Sequence, residues 1–246
     1  MKKIIDSNDV ALPQNWSQLT PTQVTFVAKQ RIESPDTTEF MTQCLLHFMG
    51  LRPQKGVNVS DTTTALQFNF SNGKEVVKID SVTILYLFER IEWLNTTFGI
   101  MKPPKIEGYK SPEHQLHQTT LEQFVHIDKC YSDFMATQNT DHLRQFFALL
   151  YTPKRITKIT DLDRMAVVYW YSALKIWLRE KYEYVFSGGY EEEEYEETAV
   201  EDYLIPMIAS LNEGRPADNE AIKKGMMHEM LFELNRKIEQ SQKTQK

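Results

Sequence analysis

From Asp161 to about Phe186 the chain carries Met165, Val168, Tyr169, Trp170, Leu174, Ile176, Trp177 and Leu178, which surround much of the circumference of a helix. A helix that is apolar on several sides cannot lie on a surface; other elements must cover it from more than one direction. The segment therefore predicts a spine, and the fold class that follows is mainly α, a multi-helix domain with one small inserted β-hairpin.

The remaining helices announce themselves by caps and periodicity. Thr20-Pro21-Thr22-Gln23 places Thr at N-cap, Pro at N1 and Gln at N3, and Leu19 can staple against Val24. Val24, Val27, Ala28 and Ile32 follow at helical spacing until Ser34-Pro35-Asp36. Further helices are expected over Thr37 to Met49, Val82 to about Asn95, Leu121 to Phe134 and Asp141 to Tyr151. The exception is Leu66-Gln67-Phe68-Asn69-Phe70 and Glu75-Val76-Val77-Lys78-Ile79, joined through Asn72-Gly73, which predicts a hairpin near 66–79.

Composition shifts after Phe186. Ser187-Gly188-Gly189 leads into Glu191, Glu192, Glu193 and Glu194, a self-repelling block read as an acidic linker over 187–198. The expected organisation is a helical domain over 1–186, that linker, and a helical C-terminal segment over 199–246. The last helix carries Met226, Met230, Phe232 and Leu234 on its apolar stripe. Methionine adapts to irregular contacts, so these residues and the four glutamates are the candidate interaction residues.

No residue pattern points to catalysis. The chain lacks a Gly-x-Ser-x-Gly elbow, a Gly-x-Gly-x-x-Gly or Gly-Lys-Ser/Thr phosphate loop, and an Asp-x-Asp-x-Asp-Gly calcium loop. The expectation is a protein that is not an enzyme and has no cofactor. One alternative uses Cys44 and His47 on one helix with His126 and Cys130 on another: face to face, they could offer a zinc ion two thiolates and two imidazoles. The plain reading, a buried structural cysteine beside a surface histidine, is the more frequent one. His114 and His117 form a weaker pair in a polar loop.

The net charge of −6 provides no basic footprint, so nucleic acid is not an expected partner. No apolar run reaches the roughly 18 residues of a membrane span, so no membrane partner is expected either. Two cysteines and a start without an apolar signal run suggest a reducing cytoplasm.

Residues 12–23, Leu-Pro-Gln-Asn-Trp-Ser-Gln-Leu-Thr-Pro-Thr-Gln, resemble an opening found in phage and prophage proteins of Bacteroidota. A second stretch, Leu121-Glu122-Gln123-Phe124 through Leu150-Tyr151-Thr152-Pro153, is similar to a segment of the same proteins in which a helix ends in a Leu-Tyr-x-Pro corner. Those proteins are regarded as tail or virion morphogenesis factors, tail assembly chaperones among them. The resemblance implies a non-enzymatic role in the bacterial host cytoplasm or on the virion. Its partners would be other phage structural or assembly proteins, or a second copy of the chain. An enzyme or metal-binding protein, and a host regulatory binding module, are the alternatives.

Overall fold

A computed structural model describes residues 3–4, 10–34, 36–53, 60–62, 65–72, 76–95, 99, 101–155, 157–186 and 199–244. The chain is mainly α-helical and divides by packing into two units, Met1–Lys102 and Pro103–Lys246.

In the first unit, strand β1 (Lys3–Ile4) precedes helices α1 (Pro21–Glu33) and α2 (Thr37–Phe48). Strands β2 (Arg52–Pro53), β3 (Ser60–Thr62), β4 (Ala65–Ser71) and β5 (Val76–Asp80) come next, followed by helix α3 (Ser81–Ile91) and a short 3-10 turn over Glu92–Asn95. The capping box at Thr20 forms as written: the Gln23 amide donates to Thr20 Oγ1 at 3.2 Å, and the Thr20 amide donates to Gln23 Oε1 at 2.9 Å. Leu19 and Val24, the staple pair, are both fully buried. Trp16 packs edge-on against Trp93 at 5.1 Å between ring centroids, and Trp93 Nε1 donates to the Pro13 carbonyl.

The expected hairpin is present as antiparallel β4 and β5, with Ser71 opposite Val76. Gly73 and Lys74 of its turn lie outside the described residues. It is more than an insertion: β1 adds to β5 in parallel, and β2 and β3 pair antiparallel with β4. Val77 and Ile79 point inward and pack with Leu46 and Leu51, which joins this sheet to the end of α2.

The second unit opens on a buried loop. Pro103, Pro104 and Ile106 are all buried, and β6 (Tyr109–Lys110) pairs with β7 (Thr152–Pro153). Gly108 has φ +81, and a Cβ there would meet Thr157 Oγ1 at 2.0 Å, so only glycine fits. Helices α4 (Leu121–Thr137) and α5 (Thr140–Leu150) precede the spine, α6 (Asp161–Lys181). The chain continues as α7 (Glu183–Phe186), α8 (Val200–Asn212), α9 (Asn219–Lys224) and α10 (Met227–Thr244).

The spine is buried at Ala166, Val167, Val168, Trp170, Tyr171, Ala173, Leu174 and Leu178, so it is covered from more than one side. Met165, Tyr169, Ile176 and Trp177 are only partly buried. Helix α6 stops at Lys181 rather than running on to Phe186, because Tyr182 leaves helical geometry at φ −124 and ψ 53. No helix of the described residues is long and apolar enough to cross a membrane.

The expected division at 187–198 is corrected by the packing. The linker itself lies outside the described residues, but α8, α9 and α10 all pack on α4, and α10 also packs on α7. Met227, Leu231 and Leu234 are buried in the second unit's own core. The composition break at Ser187 was a poor guide because a charged connection says nothing about where the flanking apolar faces go.

Two outcomes follow. Replacing Trp170 by Ala is expected to cost about 3 to 5 kcal/mol and Leu174 by Ala about 2 to 5 kcal/mol, read from urea unfolding midpoints. A chain ending at Gly189 loses the cover that α8 to α10 give α4, so it should aggregate or unfold without a cooperative transition, as followed by circular dichroism.

Candidate functional site

The proposed zinc ligands sit in two units. Cys44 is fully buried on α2, and desolvation pushes its thiol up to about 12 although Arg31 acts the other way. His47, three residues on, lies flat against Phe26 with ring centroids 3.8 Å apart, and burial lowers its pKa. His126 and Cys130 lie half-buried on α4, where burial and then the Asp133 charge raise the Cys130 thiol. Among the described residues no group of three or more His, Cys, Asp or Glu side chains is placed to hold a metal ion. The tetrahedral set is therefore not assembled. Each pair does lie on a single helix, but spacing within a helix carries no information about which helices meet.

The candidate interaction residues also separate. Leu234 is buried, Met230 is half-buried beside Gly225, Met226 is at the margin and Phe232 is 63% exposed. The stripe therefore faces its own unit through Met227, Leu231 and Leu234, and only Phe232 stands well clear. Glu191, Glu192, Glu193 and Glu194 lie outside the described residues.

A different apolar face is open. On α3, Leu87 and Ile91 are fully buried, which turns the opposite side outward. There Val82, Leu85 and Tyr86 are 65%, 63% and 46% exposed. Their i, i+3, i+4 spacing puts them on one stripe of the helix. Nothing in the sequence pattern distinguished this stripe from the buried one, because both sides of α3 are apolar.

In the second unit a cleft of about 260 Å³ lies between the 110–119 segment, α4 and the end of α5. Lys110, Glu113 and Gln123 line it with Leu116, Ile127 and Leu150. Leu116 in its wall and the adjoining Gln115 are held in left-handed backbone, φ 59 and 61. Non-glycine residues there are strained by about 1 to 3 kcal/mol each, so surrounding contacts must hold them.

Two contacts do so. Leu116 is buried, and the Gln115 carbonyl accepts a hydrogen bond from His228 Nε2 at 2.8 Å. A carbonyl only accepts, so Nε2 carries the proton, and in the neutral ring Nδ1 accepts from the Tyr182 hydroxyl at 2.8 Å. The His117 ring lies 4.8 Å from that of His228, and Trp177 meets it edge-on at 5.8 Å. Lys181 Nζ sits over Trp177 and Tyr182 at 4.6 and 5.3 Å. Burial lowers the His228 pKa below its ordinary value; the Gln115 bond acts in the opposite sense, and the Lys181 and His117 charges add to the lowering.

Both ring nitrogens of His228 are thus committed to protein partners, and burial keeps the Tyr182 phenol protonated. The cluster holds a turn; it aims no nucleophile or free base at the cleft. Sequence reasoning singled out His117 but not His228, because the two are far apart along the chain and no local pattern joins them.

No protein family, curated protein or solved structure matches the chain.

The burial of Cys44 has a direct readout. In the native protein at pH 8, Cys44 should react with a thiol reagent at least about a hundredfold more slowly than in urea, since both access and thiolate fraction are suppressed. Rapid native labelling of Cys44, located by mass spectrometry, contradicts its placement.

Proposed function

We propose that this chain is a non-enzymatic phage or prophage protein that acts in tail or virion assembly through protein-protein contacts. The observation that carries the contact reading is the outward stripe of α3, with Val82, Leu85 and Tyr86 all substantially exposed on one face. An apolar stripe at i, i+3 and i+4 is the form in which a helix is read by a hydrophobic groove on a partner. Tyr86 adds a large side chain of low conformational cost with a polar tip, a residue type favoured where a surface is alternately wet and buried.

Support for the phage setting comes from the resemblance of residues 12–23 and 121–153 to Bacteroidota tail and virion morphogenesis proteins. The partners are then other structural or assembly proteins of the same particle, or a second copy of the chain, met in the host cytoplasm. Tail tube or tape-measure genes beside the coding sequence favour this reading, and a setting free of phage genes counts against it.

The deciding experiment is Leu85→Glu introduced into the prophage that encodes the chain. Leu85 is exposed and Glu is a good helix former, so the unfolding midpoint should move by no more than about 0.5 kcal/mol. Particle yield by plaque count and electron microscopy should fall at least tenfold, and a wild-type copy in trans should restore it. Normal particles from the Leu85→Glu prophage overturn the proposal.

A further inference from the structure

We propose that His228, packed against His117, is an acid-sensitive clasp that holds the Gln115–Leu116 turn, and with it one wall of the cleft, in place at neutral pH and releases it when His228 takes up a proton. This goes beyond the assembly role and does not rest on it.

The clasp joins two strained residues to the start of a long helix. His228 is the second residue of α10, and its Nε2–H holds the Gln115 carbonyl. The same region is tied by backbone: Leu121 N–H donates to the Gly225 carbonyl at 2.9 Å, and Met227 N–H donates to the Thr119 carbonyl at 2.8 Å. The N-termini of α4 and α10 therefore meet here, and both are positive ends of helix dipoles.

The titratable and charged groups facing His228 are Lys181 at the end of α6, Tyr182 just beyond it and His117 from the turn. Glu122 and Glu229 stand in the first turns of α4 and α10. A proton on His228 adds a cation beside Lys181 at these two positive ends. The hydrogen bonds do not prevent protonation: Tyr182 can accept from Nδ1–H and donate to the His228 carbonyl 3.3 Å away. Repulsion and desolvation oppose it, and the cheapest relief is for the turn to leave α10, because the backbone at Gln115 and Leu116 relaxes as it goes.

The sign follows from linkage. A histidine whose pKa is depressed in the folded state contributes stability above the unfolded value of about 6.5, and that contribution is lost as pH falls through the folded value. The clasp is closed at neutral pH and opens in mild acid.

Amide hydrogen exchange on the full chain tests this, with rates corrected for the intrinsic pH dependence. Between pH 7.5 and 5.5 the protection of Thr119 and Met227 should fall at least tenfold, while amides in the middle of α6 stay unchanged. His228→Gln retains a donor and an acceptor but cannot titrate, so its protection should not vary over this range. Lys181→Gln serves as a second variant: by NMR titration it should raise the pKa of His228, which a purely structural role for Lys181 would not do. Protection at Thr119 and Met227 that is indifferent to pH in the wild type overturns the proposal, as does an equal acid loss in His228→Gln.

Discussion

The second unit depends on two helix starts satisfying each other. The first amides of any α-helix have no partner within the helix, and a buried one must find a partner elsewhere. Leu121 opens α4 and is fully buried, so water cannot serve it; the Gly225 carbonyl does. Met227, which opens α10 and is equally buried, donates to the Thr119 carbonyl. Thr120 and Met226 form the bridge between these bonds, and the capping box satisfies the amides of Thr120 and Gln123. Either helix without the other leaves a buried donor unpaired. This reciprocity integrates the C-terminal helices into the unit.

A second constraint sets how α4 lies on α6. Tyr171 is fully buried, and its hydroxyl donates to Asp128 on α4, which also receives Lys175 at 2.8 Å. One turn on, Tyr131 and Ser172 share a hydrogen bond at 2.9 Å. Buried polar groups cost free energy unless paired, so sliding one helix past the other by a turn would strand the Tyr171 hydroxyl and the Asp128 charge together. Apolar packing brings the two helices into contact, and these polar pairs select the register.

What could be read in advance was the local part of the structure. The Thr20 start was legible because a cap is complete within four residues, and the β4–β5 hairpin because its turn and alternation are adjacent in the chain. The division at Lys102 falls just before Pro103-Pro104, whose rigid, donor-poor backbone cannot continue a helix. The glutamate block was the louder signal but bears on solvation, not packing. Long-range partners left no trace: neither Cys44 nor Cys130 indicates which helix it faces, and His228 gives no sign that it will meet Gln115. Likewise α3 is apolar on both sides, and only the folded chain determines that Leu87 goes in while Leu85 stays out.

The same distinction separates the resemblance from the function. The likeness over 12–23 and 121–153 consists of residues that build the scaffold: Leu12, Trp16 and Leu19 are buried, and Tyr151 at the Leu-Tyr-x-Pro corner is buried, stacks on Phe147 and donates to the Pro104 carbonyl at 2.8 Å. Such residues answer to packing and say nothing about what the chain contacts. Val82, Leu85 and Tyr86 lie outside both stretches, on a face that is exposed among the described residues. Exposed apolar stripes carry a solubility cost that a partner removes. The proposed assembly role therefore rests its contact surface on the α3 stripe alone, whose exposure owes nothing to the residues that build the scaffold.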